Sequence, residues 1–184
     1  MKTLVIHPED PTTDFLKGVY EGLEDITVIH GLTANKSIRK LIKSHDRVIA
    51  LGHGTPNGLL GVGMFYGTNY ALDHGHTKLL REGKDNIYIW CNADQFVQRY
   101  GLPSPLYTGM FISEVGEALM MGHEYTSPQE VSESNAVYAS IINEELKKNT
   151  PDQTQQSVLN FMMKKSDIFK NDVMCYNWER LYST

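Results

Sequence analysis

A histidine held between two glycines, Gly52-His53-Gly54, and a cysteine 38 residues later, Cys91, are the residues of this chain best suited to covalent chemistry. A thiol with an imidazole in reach is a nucleophile with its base: the ring takes the proton and the thiolate attacks an electrophilic carbon. Each ends a short apolar run, Val48-Ile49-Ala50-Leu51 in the first case and Ile87-Tyr88-Ile89-Trp90 in the second. Runs of that length read as buried strands, and an open α/β sheet binds its ligands at the carboxyl ends of its strands. The glycines leave the imidazole uncrowded and let the backbone turn sharply. Cys91 is followed by Asn92-Ala93-Asp94-Gln95, a plausible helix start whose dipole favours thiolate. Backbone amides there, with that of Gly54, are suited to holding an oxyanion.

Other groups compete for notice. Asp73-His74-Gly75-His76 contains a His-x-His pair which, with His53 and Cys91, has the side-chain types of a metal site. The fuller His-rich pattern of a metal-dependent hydrolase is missing, and Asp73 reads equally well as the cap of a helix carrying Leu79 and Leu80. No metal or cofactor is expected, and His74 and His76 are assigned to the wall of a cleft. Thr12 and Thr13 form a hydroxyl pair at a helix start, where a flavodoxin-like protein holds a cofactor phosphate. Glu9, Asp10 and Asp14 oppose a phosphate there, and no Gly-rich cradle is present. Glu114 and Glu117 read as first-turn acids that favour the helix dipole, with Glu114 also a possible pocket floor for a basic side chain. Trp90, Asn92 and Asp94 complete the expected pocket lining.

The elements that must position these groups alternate. Leu4 to Ile6 reads as a first strand, followed by a helix capped by Thr12 or Thr13 and carrying Phe15, Leu16, Val19, Tyr20 and Leu23. Ile26 to Ile29 is a second strand ending at His30-Gly31, and a helix through Ile38, Leu41 and Ile42 leads to the strand ending at His53. Thr55-Pro56-Asn57-Gly58 is a turn, with Leu59-Leu60 returning over the edge. Asn86 to Trp90 is a fourth strand and Leu106 to Ile112 a fifth, which opens into a helix from Ser113 to Met121. Such β-α-β alternation implies a three-layer αβα domain with a mainly parallel sheet, caspase-like or flavodoxin-like. From residue 127 the pattern becomes helical. Ser127-Pro128-Gln129-Glu130 and Thr150-Pro151-Asp152-Gln153 are capping boxes with Pro at the first helical position. They open one helix burying Val131, Tyr138, Ile141, Ile142 and Leu146, and another burying Val158, Leu159, Met162 and Met163. The segment 127–184 is expected to pack as an extension of a single domain spanning 1–184. The stretch 173–182 carries Trp178 and docks as either strand or helix.

Bulk properties narrow the function. A chain of 184 residues with 41% apolar content can bury one substantial core. A net charge of -5 argues against a nucleic-acid partner, which needs a basic face. No apolar run approaches a membrane span of about 18 residues or more, and the first residues meet acid too soon for a signal peptide. Two cysteines, Cys91 and Cys175, fit free thiols in a reducing cytoplasm.

A hydrophobic strand ending in Gly52-His53-Gly54-Thr55, followed by another ending in Cys91, resembles the caspase-like cysteine peptidases: caspases, metacaspases, legumain, gingipains, clostripain and CHAT domains. The resemblance spans roughly residues 1 to 120. It implies a parallel sheet flanked by helices, His53 as general base and acid, Cys91 as nucleophile, Gly54 as an oxyanion donor, and a peptide or protein substrate. The chain departs from the family at Trp90, where a small residue is usual, and at Asn92-Ala93-Asp94, where Gly often follows. The departure puts a bulky ring beside the primary pocket. The expected function is a cysteine hydrolase. A non-catalytic binding module on the same fold and a flavodoxin-like small-ligand or nucleotide binder are the alternatives.

Overall fold

A computed structural model describes residues 1–31, 33–61, 69–82, 85–148 and 171–182. The chain opens with strand β1 (Thr3–Ile6), a 3-10 turn (Pro11–Leu16) running into helix α1 (Lys17–Tyr20), strand β2 (Ile26–Ile29), helix α2 (Asn35–Lys43) and strand β3 (Arg47–Leu51). Three short strands, β4 (Gly54–Thr55), β5 (Gly58–Leu60) and β6 (Tyr70–Asp73), precede helix α3 (Thr77–Glu82) and strand β7 (Ile87–Ile89). Helix α4 (Ala93–Tyr100), strand β8 (Leu106–Thr108), helices α5 (Val115–Met120), α6 (Pro128–Lys148) and α7 (Asp172–Trp178), and strand β9 (Leu181–Tyr182) follow.

Six strands form one sheet in the order β2-β1-β3-β7-β8-β9, parallel except for β9. The chain steps outward from β1 to β2, then crosses back to β3 and winds the other way. That reversal opens a crevice between the carboxyl ends of β1 and β3. Helices cover both faces, so the fold is a three-layer αβα sandwich. One face packs Val5, Ile49, Leu51, Ile87 and Ile89 against Leu16, Val19, Tyr138, Ile141 and Ile142. The other packs Leu4, Val48, Ala50, Tyr88 and Trp90 against Ile38, Ile42, Leu80, Phe96 and Val97. Burial on both faces is why these strands are unbroken apolar runs rather than alternating ones.

Buried amides pin the layers together. The Asn86 side chain accepts from the Val48 amide at 2.8 Å and donates to the Leu80 carbonyl at 2.8 Å, tying β3 to α3. Asn143, on α6, donates to the carbonyls of Val19 at 3.0 Å and Glu21 at 2.9 Å, closing the end of α1. Asn177 accepts from the Ile112 amide at 2.6 Å and donates to the Ile112 carbonyl at 2.8 Å.

Several boundaries differ from the sequence reading. The first helix is capped by Asp10, not by Thr12 or Thr13: its carboxylate accepts from the Thr12 amide at 2.9 Å, and Pro11 takes the first position, where no N–H is needed. The fifth strand stops at Thr108 instead of Ile112. Gly109 donates to the Arg180 carbonyl, and Asn177 takes both backbone groups of Ile112, so the chain leaves the ladder early. The segment 173–182 holds both a helix and a strand, with β9 pairing antiparallel to β8. Helix α6 starts at the first capping box, where Glu130 accepts from the Ser127 amide at 2.8 Å and hydroxyl at 2.7 Å. It buries all five of its expected apolar residues. The second capping box, with Val158, Leu159, Met162 and Met163, lies outside the described residues.

Gly54 is required by packing. A Cβ built there would fall inside the Trp90 indole, which is fully buried beneath it. Gly54→Ala should therefore cost about 1–3 kcal/mol of overpacking, read as a lower urea midpoint. Adding Trp90→Leu, which vacates the space, should make the alanine nearly neutral against the Trp90→Leu background.

Candidate functional site

The register of β3 against β7 sets the candidate site. Leu51 pairs with Ile89, and the Gly52 amide extends the ladder to the Ile89 carbonyl at 3.0 Å. His53 and Cys91 thus each stand two residues past a paired position, on neighbouring strands at the carboxyl edge. Gly52 has φ +134, which favours glycine and turns the chain out of the strand. The His53 carbonyl is then held by the Leu60 amide at 2.9 Å, so the hairpin anchors this turn. On the other strand the Trp90 carbonyl accepts from the Ala93 amide at 3.1 Å and the Thr108 hydroxyl at 2.9 Å. Asn92 adopts a left-handed conformation, φ +66, to make that turn into α4.

The imidazole of His53 faces the loop after β1. Its Nε2 lies 2.6 Å from the Thr12 hydroxyl and 3.6 Å from an Asp10 carboxylate oxygen, and the Thr12 hydroxyl donates to that same oxygen at 2.6 Å. Burial works to raise the Asp10 carboxyl, but hydrogen bonds from the Thr12 hydroxyl and amide, with His53 adding its charge, hold it below the usual carboxylate range. The sequence reading did not find this partnership. Its one signal was the Asp10-Pro11-Thr12-Thr13 segment, read there as a cap and an unfavourable phosphate loop. Both hydroxyls are in use: Thr13 donates to the Asp10 carbonyl at 3.2 Å and lies 3.3 Å from His7 Nε2.

Cys91 is partly buried and packs on the core face that holds Ile49, Leu51 and Ile89. Its thiol donates to the Phe111 carbonyl at 3.7 Å. The expectation of a lowered thiol pKa is corrected here. Burial, with Glu117 adding to it, pushes the thiol up to about 12. Among the described residues no hydrogen bond joins Cys91 to His53.

The remaining expected residues scatter. Trp90 is core and not pocket wall: its indole points to the opposite face, against Tyr88 and Phe96, and donates to the Thr55 carbonyl at 3.2 Å. Asp94 lies in the first turn of α4 with a buried carboxylate oxygen. Asn92 accepts from Gln95 at 3.3 Å. Glu114 precedes α5, where the Glu117 carboxylate accepts from the Glu114 amide at 3.2 Å and from the Ser113 amide at 2.7 Å. His74 is exposed, whereas His76 is fully buried with Nδ1 3.0 Å from Asp73, so the pair does not converge. No group of three or more His, Cys, Asp or Glu among the described residues is arranged to hold a metal. No described helix is long and apolar enough to cross a membrane. A hollow of about 590 Å³ lies between α1 and α6, lined by Phe15, Gly18, Val131, Asn135 and Asn143; neither His53 nor Cys91 lines it.

The fold and edge define a three-layer α/β protein with a Cys and a His on adjacent strand ends. No protein-family model matches the chain, and no curated protein matches it either.

His7 supports the same loop from below. Its Nδ1 lies 3.1 Å from the Tyr20 hydroxyl, and burial, then the neighbouring His30 and Lys17, lower its pKa from 6.5 to about 4. The unfolded chain therefore binds this proton more readily than the folded one. The stabilisation is complete above pH 6.5 and is lost as pH falls toward 4, a change of about 3 kcal/mol. Urea midpoints measured from pH 7 to pH 4 should fall accordingly, and His7→Gln should flatten that part of the profile.

Proposed function

We propose that this chain is a cysteine hydrolase acting on peptide or protein substrates, with Cys91 as nucleophile and His53 as base. The observation that supports the reading is the β3–β7 register, which releases both residues at equivalent positions on adjacent strands of the carboxyl edge. In the reaction the thiol proton passes to His53 while sulfur attacks the substrate carbonyl. His53 returns the proton to the leaving amine, and water then hydrolyses the acyl-enzyme. The Gly54 amide is assigned to the oxyanion. The described state is a resting one, because the thiol faces the Phe111 carbonyl. Attack requires Cys91 to rotate out of its contact with Phe111.

The protonated, desolvated thiol favours a second reading, a binding module that uses the same edge without covalent chemistry. The two separate in one experiment. The intact protein is incubated with a diverse peptide pool, cleavage is read by mass spectrometry, and Cys labelling by a peptide acyloxymethyl ketone is mapped. The hydrolase reading expects new peptide termini, labelling at Cys91 over Cys175, and loss of both in Cys91→Ala and His53→Ala. Equal slow labelling of the two cysteines, with no cleavage, sinks it and leaves the binding module.

A further inference from the structure

We infer that Thr12 and Asp10 are positioning residues that fix the proton of neutral His53 on Nε2 and so present Nδ1 as the basic nitrogen. This rests on the hydrolase reading above for its purpose, though not for its test. The argument is a proton count. The Thr12 hydroxyl carries one hydrogen and lies 2.6 Å from both the Asp10 carboxylate and His53 Nε2. An ionised carboxylate only accepts, so the hydroxyl hydrogen is spent on Asp10. The contact to His53 is then made in one sense only, with Nε2–H donating to the Thr12 oxygen. The chain of donors is His53 to Thr12 to Asp10, and it ends on a charge.

The arrangement is anchored at every point. Asp10 is held by the Thr12 amide at 2.9 Å as the cap of the 3-10 turn, so the carboxylate and the hydroxyl belong to one rigid turn. Thr13, next in the chain, is tied to buried His7. His53 itself is fixed through its backbone by β5. The loop after β1 and the turn after β3 therefore meet across the crevice through one side-chain hydroxyl.

The chemical consequence is specific. When His53 accepts the Cys91 proton it does so at Nδ1, with the sulfur keeping the electron pair. The ring becomes imidazolium with both nitrogens protonated. Its Nε2–H bond to Thr12 is kept, and the Asp10 charge 3.6 Å away stabilises the cation without itself taking the proton. An Nδ1–H tautomer would point its lone pair at a hydroxyl that has no hydrogen to give, and the base would face the wrong way.

The test uses the full chain with ¹⁵N-labelled histidine. In water at pH 7.5, His53 should show a slowly exchanging Nε2–H proton. Thr12→Val, which keeps shape and removes the oxygen, should abolish that signal; Thr12→Ser should restore it, and Asp10→Ala should lose it by freeing the hydroxyl to turn. Labelling of Cys91 by the acyloxymethyl ketone should fall at least about tenfold in Thr12→Val and recover in Thr12→Ser. A proton found on Nδ1 in the neutral ring, or an Nε2–H signal unchanged in Thr12→Val, overturns the inference. An absence of Cys91 labelling in the parent protein instead overturns the hydrolase reading, and the spectrum still decides where the proton sits.

Discussion

A strand buried on both faces has no choice about where its successive side chains go, and the carboxyl edge of this sheet inherits that constraint. Because Ile87 and Ile89 face one core and Tyr88 faces the other, Trp90 must join Tyr88 and Cys91 must join Ile89. Trp90 fills the space under Gly54 and so supports the hairpin that carries His53. Cys91 is delivered to the face where Phe111 and Tyr138 wait. Moving either residue by one place would exchange a ring for a thiol in both cores at once.

That placement decides the state of the thiol by magnitude. Raising it from 9.0 to about 12 corresponds to about 4 kcal/mol against the charged form. A helix start contributes only about 0.3–1 kcal/mol in the other direction, and α4 is a short helix. Desolvation wins, with Glu117 reinforcing it. The imidazole is treated differently, since its partners are a hydroxyl and a carboxylate on the crevice side. The edge thus holds its thiol against a backbone carbonyl and its imidazole against a hydroxyl and a carboxylate.

Much of this was legible from residue order. The five parallel strands, the turn at Thr55–Gly58, the cap at Asp73 and the start of α6 all rest on local chemistry: apolar runs, Gly and Pro, and short polar side chains at helix starts. What could not be read are contacts set by tertiary approach. Thr12 and His53 are 41 residues apart, and nothing local marks that hydroxyl as belonging to the imidazole. Cys91 is desolvated partly by α6, whose Tyr138 shares its surroundings, so a helix-start rule applied to residues 91–95 alone gave the wrong sign. The fifth strand ends short of its apolar run because Asn177, 65 residues on, takes the backbone groups of Ile112.

The Asn143 side chain that closes α1 bears on how the chain reaches this structure. Its two acceptors lie 124 and 122 residues earlier, so the end of the short helical segment Pro11–Tyr20 has that support only once α6 has packed. An isolated helix of that length does not hold in water. The first β-α-β unit therefore draws part of its support from a helix more than a hundred residues downstream. Contacts of such sequence separation cost more loop-closure entropy than local ones, the kind of pairing that goes with slower folding.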